Sequence, residues 1–182
     1  MEKDLRNNIL YNQLLKIVNK CNFIIESYKN SGSTIKKDGT PLTKADLEVD
    51  RYIYKKLSNL YPNIPIISEE RSSSFNYFSC KKYWLIDPLD GTSSFIKGFD
   101  EYTTNIALIS NGKPIFGAIG HPPSKRVWLG GLKGAYLILS SGKTYNLLEN
   151  NIAWDKPIII TSRHTDYETE IFIDSIKNAQ VI

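Results

Sequence analysis

Between residues 10 and 28 the apolar positions Leu10, Leu14, Ile17, Val18, Cys21, Ile24, Ile25 and Tyr28 recur at helical spacing and form one broad stripe. The pattern predicts a helix over 5–28, stopped by Asn30-Ser-Gly-Ser33. Lys37-Asp-Gly-Thr40 carries a turn signal between two short extended pieces. Thr43 then stands as an N-cap with Asp46 three residues on, which resembles a capping box. A second helix is expected to run to about Leu60, with Leu47, Ile53, Leu57 and Leu60 on its buried side, and Tyr61-Pro62 ends it.

The period changes after that. Ile64–Ile67 predicts a short buried strand that delivers Ser68-Glu69-Glu70, and the serine-rich stretch 71–82 reads as a loop. Tyr83–Ile86 predicts a strand that carries Asp87 and Asp90 to its C-terminal end. Gly91-Thr92 opens a short helix holding Phe95 and Ile96, which Gly98 closes. Thr103–Ile109, Pro114–Gly120, Arg126–Leu129 and Ala135–Leu139 have strand character, and Asn111-Gly112 is a hairpin signal, so an antiparallel meander is expected. Residues 145–155 look polar and loop-like. Pro157–Thr161 reads as a fresh buried strand and Tyr167–Lys177 as a helix. A strand followed by a helix suggests the start of an α/β unit. The expectation is an α+β fold, with an N-terminal domain over 1–150 and the beginning of a second domain over 151–182.

Composition narrows this picture. A chain of 182 residues holds one large domain, or one domain and part of another. Its longest apolar runs are far too short for a bilayer, and Met-Glu-Lys-Asp-Leu-Arg at the N-terminus has no secretory pattern. Cys21 and Cys80 lie far apart without metal-ligand spacing and read as free thiols, so a cytoplasmic location is expected. The net charge is +4, and Lys36-Lys37, Lys55-Lys56 and Lys81-Lys82 are scattered pairs. They read as solvated surface, which speaks against a nucleic-acid partner. A weak positive field favours a small anionic substrate.

The chemistry lies in Glu69, Asp87 and Asp90, which arrive from two different strand ends. Crowded carboxylates repel one another unless a cation sits between them. Hard oxygen donors suit Mg²⁺, which keeps several waters and shares its site with substrate phosphate. Pro88 stiffens the turn, and the Leu89 carbonyl can also face the ion. Backbone N–H groups at Gly91 and Thr92 can hold a phosphate. The Thr92 hydroxyl can orient a water, with Asp46 as its partner. An aspartate-nucleophile phosphatase needs Asp-x-Asp-Gly-Thr; Asp87-Pro-Leu-Asp90 is one residue longer and sits well inside the chain. Arg163 and His164 read as a polar loop, and His121, beside Pro122-Pro123, as structural. The residues therefore point to a Mg²⁺-dependent phosphatase.

The order Asp46, Glu69-Glu70 and Asp87-Pro-Leu-Asp-Gly-Thr92 resembles the signature of the lithium-sensitive inositol monophosphatase superfamily. Pro41-Leu-Thr-Lys-Ala-Asp46, Phe95-Ile-Lys97, Asn105-Ile-Ala-Leu-Ile109 and Ile160-Thr-Ser-Arg-His164 are similar to its bacterial 3′(2′),5′-bisphosphate nucleotidase branch. The resemblance implies a layered sandwich with two helices on an antiparallel sheet, and hydrolysis of 3′-phosphoadenosine 5′-phosphate to AMP. It implies Glu69, Asp87, Asp90 and the Leu89 carbonyl as Mg²⁺ ligands, Asp46 and Thr92 as the groups that activate water, and Gly91 and Thr92 as the phosphate site. Two departures accompany it. Ser93-Ser94 stands where that branch carries Lys-Glu, which keeps inositol phosphate as the alternative substrate. The later Trp-Asp motif, whose aspartate completes the metal site, is not matched by Trp154-Asp155, so Asp155 reads as a loop residue. The resemblance therefore implies a C-terminally truncated chain, either a non-catalytic fragment or half of a split enzyme, with a complementing C-terminal chain or a homo-oligomer as the partner to look for.

Overall fold

The computed structural model describes residues 9–29, 32–36, 39, 41–71, 80–131, 134–147, 158–161, 167–176 and 180–181. The chain divides into two compact units, Met1–Leu148 and Glu149–Ile182. In the first unit, helix α1 (Ile9–Ser27) buries Leu14, Ile17, Val18, Cys21, Ile24 and Ile25, as the apolar stripe predicts. Tyr11 and Asn22 join that buried face, whereas Leu10 and Tyr28 are only partly covered. Strands β1 (Ser33–Ile35) and β2 (Pro41–Thr43) form an antiparallel pair, and Gly39 between them has φ +86°. Helix α2 (Lys44–Leu60) starts with the expected capping box: Thr43 caps the Ala45 and Asp46 amides, and Asp46 reaches back to the Thr43 amide.

The buried side of α2 differs from the expectation. Ala45, Asp46, Val49, Asp50, Ile53 and Leu57 are buried, while Leu47 is 41% exposed and Leu60 38%. The stripe 46–49–50–53–57 keeps the 3.6-residue period, and Leu47 lies about 100° off it. Two aspartates, Asp46 and Asp50, thus share the buried stripe with Val49, Ile53 and Leu57.

Seven strands form one sheet in the order β3 (Ile66–Ser68), β4 (Lys82–Asp90), β5 (Thr103–Ser110), β6 (Lys113–His121), β7 (Arg126–Gly131), β8 (Gly134–Ile138) and β9 (Thr144–Asn146). The meander is antiparallel, but β3 pairs with β4 in parallel, so the sheet is mixed. Strand β3 is shorter than 64–67 and its isoleucines are only half-buried, because it is an edge strand. Tyr145 lies in β9, not in a loop. At the β5–β6 hairpin Asn111 and Gly112 both take positive φ, 50° and 73°, as an Asn-Gly turn requires. The serine-rich segment 72–79, Asp155, Arg163 and His164 lie outside the described residues.

Helices α1 and α2 cover one face of the sheet, where Trp84, Ile86, Ile106, Leu108, Phe116, Ala118, Val127 and Leu129 complete the core. Gly120 lets α1 approach: a Cβ there would collide with the Val18 side chain and stand 2.5 Å from Asn22 Oδ1. The opposite face stays apolar, with Leu85 and Ile119 each 44% exposed. Strands covered on both sides read as continuous apolar runs, as Tyr83-Trp-Leu-Ile86 does. An open face of this kind associates with itself. Size-exclusion chromatography is expected to show earlier elution as concentration rises; a sharp monomer peak at high concentration contradicts this.

The second unit is described by Ile158–Ile159 (β10), Tyr167–Ser175 (α4) and Gln180–Val181 (β11), with β10 and β11 parallel. The expected strand over 157–161 is two residues long and half-buried, with Ile160 79% exposed, and α4 buries no residue. No helix among the described residues is long and apolar enough to cross a membrane.

Candidate active site

Asp87 and Asp90 lie inside β4 rather than beyond its end. Asp87 pairs with Asn105 and Asp90 with Thr103, so β4 carries one extra residue between them, a bulge around Pro88 and Leu89. A proline within a sheet belongs at such a place, because it has no N–H for the ladder. Thr104, fully buried, donates to the Pro88 carbonyl at 2.9 Å and fixes the bulge from behind. Asn105 Nδ2 donates to Asp90 Oδ2 at 3.1 Å. The chain then turns through Gly91, φ +83°, into helix α3 (Thr92–Lys97), which Gly98 closes in the left-handed conformation.

Asp46 is fully buried. Its Oδ2 accepts from the Thr43 amide at 2.7 Å and the Thr43 hydroxyl at 2.5 Å. Its Oδ1 lies 3.2 Å from Thr92 Oγ1, which lies 2.9 Å from the Leu89 carbonyl. The structure thus brings Asp46, Leu89 and Thr92 together.

Parallel pairing of β3 with β4 places Glu69 beside this group: the Glu69 amide donates to the Ile86 carbonyl at 3.2 Å. Asp87 shows the result of the crowding. Its carboxyl pKa is pushed up to about 7, by burial first and then by the charges of Glu69 and Asp90. Glu69 also acts as an acceptor for the proton Asp87 keeps. Asp87 Oδ1 is buried with no hydrogen-bond partner, a costly state for a carboxylate oxygen. Glu69, Asp87 and Asn105 rim a hollow of ≈ 540 Å³ over Leu85, Ala107, Gly117 and Ile119.

Lys36 overturns its reading as a solvated surface lysine. Its side chain is only 17% exposed, and Nζ donates to Glu70 Oε1 at 2.7 Å and Glu69 Oε1 at 3.1 Å. Burial opposes its charge, but the bonds to Glu70 and Glu69 outweigh it and raise its pKa. Glu70 is raised by burial despite Lys36. Sequence reasoning also passed over Asn105 and Asp50. The signal for Asp50 was present: it follows Asp46 by four residues on the buried stripe.

His121 is held between Ser124 Oγ, 2.6 Å, and the Asp100 carbonyl, 2.7 Å, as a structural residue. Cys21 and Cys80 are free thiols. Among the described residues, no three His, Cys, Asp or Glu side chains stand together in ready ligating geometry. Glu69 is instead turned toward Lys36. The donor set still fits a hard divalent ion: an orphaned Asp87 oxygen, two further carboxylates close enough to raise its pKa, and the Leu89 carbonyl.

The raised Asp87 pKa has a sign. The folded protein holds this proton up to about pH 7, whereas an ordinary aspartate carboxyl gives it up near 3.8. Between those values the folded state binds more protons than the unfolded one, so this group's contribution to stability falls as pH rises and levels off above the window. Melting in EDTA across that range, wild type minus Asp87→Asn, reads it. A difference that is flat, or that grows in favour of wild type with pH, contradicts the assignment.

The mixed sheet under two helices, with acids at a bulged strand and a short following helix, defines a recognisable class. The chain belongs to the inositol monophosphatase family, which matches residues 9–178. It is 45% identical over 112 residues to the 3′(2′),5′-bisphosphate nucleotidase CysQ of Buchnera aphidicola, covering 60% of this chain and 39% of that protein. It is 31% identical over 169 residues to CysQ of Haemophilus influenzae, covering 91% of this chain and 63% of that one. The crystal structure of CysQ from Bacteroides thetaiotaomicron matches with a TM-score of 0.76 at 28% identity, over 93% of this chain and 70% of that one. The α+β expectation stands. The chain spans less than two thirds of the length of these curated relatives.

Proposed function

We propose that this chain carries the metal-binding part of a Mg²⁺-dependent phosphomonoesterase that releases phosphate from 3′-phosphoadenosine 5′-phosphate. The observation that carries the reading is the Asp87 carboxylate, with its Oδ1 unpartnered and crowded by Glu69 and Asp90 next to the Asp46–Thr92 pair. The CysQ relatives support the substrate.

Glu69, Asp87, Asp90 and the Leu89 carbonyl would hold the ion. When bound, Mg²⁺ supplies charge neutralisation at the phosphoryl oxygens and acidifies water. The chain's own groups do the positioning. Asp46, whose Oδ2 accepts from the Thr43 amide and hydroxyl, accepts the Thr92 hydroxyl hydrogen at Oδ1. A lone pair of the Thr92 hydroxyl then accepts from the attacking water and aims that water's own lone pair at phosphorus. The Gly91 and Thr92 amide hydrogens hold the phosphate, and Asn105 fixes the orientation of Asp90.

The parallel β10–α4–β11 sequence supports reading 151–182 as the beginning of an α/β domain. The free cysteines support a reducing, cytoplasmic setting. Ser93-Ser94 favours inositol phosphate as the alternative substrate.

Phosphate release is measured from 3′-phosphoadenosine 5′-phosphate and from inositol 1-phosphate, in Mg²⁺ and in EDTA. Each is repeated with the C-terminal third of a CysQ relative added. Mg²⁺-dependent release from the nucleotide supports the reading; preference for inositol 1-phosphate moves it to the alternative. No release from either substrate, with or without the added piece, overturns it.

A further inference from the structure

Helix α2 presents two buried carboxylates on one face, Asp46 and Asp50, one turn and about 6 Å apart along the axis. Asp46 holds the Leu89–Thr92 turn. Asp50, 5% exposed, holds a different segment. Its Oδ1 accepts from Ser68 Oγ at 2.6 Å and its Oδ2 from Arg71 Nε at 2.8 Å. Ser68 Oγ in turn accepts from the Glu70 amide at 3.3 Å, and the Arg71 amide donates to the Ser68 carbonyl at 3.2 Å. The Arg71 guanidinium lies 3.9 Å from the ring centroid of Tyr54, one turn further along α2. Glu69 and Glu70 therefore sit in a tight turn pinned on both sides, by Ser68 and by Arg71, to one buried carboxylate.

We propose that Asp50 is a positioning residue for Glu69 and Glu70, and that α2, through Asp46 and Asp50, sets the separation between the Glu69–Glu70 turn and the Asp87–Asp90 bulge. A buried ion pair is a weak source of net stability, because desolvation offsets its attraction. What Asp50 supplies is geometry. It bonds a hydroxyl and a guanidinium that bracket the acidic pair, on a rigid helix whose preceding turn bonds the other half of the site. Groups that orient ligands in this way change metal affinity about 10–100-fold when altered. The inference rests on the Mg²⁺ reading above.

The test is calorimetric titration of the full chain with Mg²⁺ alone, together with metal-free melting. The proteins are wild type, Asp50→Asn, Ser68→Ala and Ile53→Ala. Asp50→Asn and Ser68→Ala are expected to weaken Mg²⁺ binding about 10–100-fold. Ser68→Ala alters no charge, so its effect separates positioning from loss of a negative field, and it carries the test where Asp50→Asn fails to fold. Ile53→Ala, a core truncation on the same helix, is expected to lower the melting temperature by several degrees and leave Mg²⁺ affinity within about twofold. Wild-type affinity in Ser68→Ala overturns the proposal, as does equal loss of affinity in Ile53→Ala. If wild type takes up no Mg²⁺, the metal reading itself falls, and this proposal with it.

Discussion

Asp87→Asn is expected to lower Mg²⁺-dependent phosphate release by about 10³-fold and, in the same protein without metal, to raise the melting temperature at pH 8. Both effects have one cause. At pH 8 the Asp87 carboxylate is charged, largely buried, unpartnered at Oδ1 and faced by Glu69 and Asp90. An amide of the same size removes the repulsion and the desolvation of a charge, and so stabilises the fold. The same change removes a hard anionic donor from the proposed metal site. Strain of this type persists at functional sites because function requires it. Phosphate release and metal-free melting, measured side by side, check the pairing. A variant that loses both activity and stability marks Asp87 as a structural residue and contradicts the account.

Gly91→Ala is expected to destabilise the protein by about 3 kcal/mol, or about 10 °C in melting temperature, and to remove most phosphate release. Gly91 takes φ +83°, where a side chain is strained. Space is the second problem. A Cβ there would run into the Glu101 carbonyl oxygen and stand 3.1 Å from the Tyr102 backbone. Tyr102 cannot give way, because it is 2% exposed, packs its ring edge-on to Phe95 at 5.1 Å and bonds Glu26 at 2.6 Å. The turn would have to open, carrying the Thr92 hydroxyl away from Asp46. Gly98→Ala is the matched control: it has a similar φ of +77° and nothing within 4 Å of its Cβ position. It is expected to cost about 1 kcal/mol and leave Thr92 in place. Equal losses in the two variants would mean that the close approach at Gly91 is not what holds the turn.

Much of this architecture is written locally. The α1 stripe, the Thr43 capping box, the Asn111-Gly112 hairpin and the Gly98 stop each rest on neighbouring residues, and each is found in the structure. The differences arise where long-range pairing decides. Periodicity of single residues places Leu47 and Leu60 inside, but the true stripe passes through Asp46 and Asp50, which are tolerated because each receives hydrogen bonds from distant segments. The β4 strand continues through Pro88 because β5 supplies a bulge partner and Thr104 a donor, neither visible in the run 83–90 itself. Lys36 reads as surface until the fold brings it to Glu69 and Glu70, more than thirty residues away. The candidate acids Asp87 and Asp90 were legible because their spacing within 87–92 is local; the groups around them, such as Lys36, Asp50 and Asn105, were not, because they lie on other elements.

The most direct test of the central claim is a crystal of this chain grown with Mn²⁺ and measured at the manganese absorption edge. The account predicts an anomalous peak about 2.0–2.3 Å from an Asp87 carboxylate oxygen, with Glu69, Asp90 or the Leu89 carbonyl completing the shell. An ordered crystal in which Asp87 contacts no ion at millimolar Mn²⁺, with Glu69 still on Lys36, would contradict it.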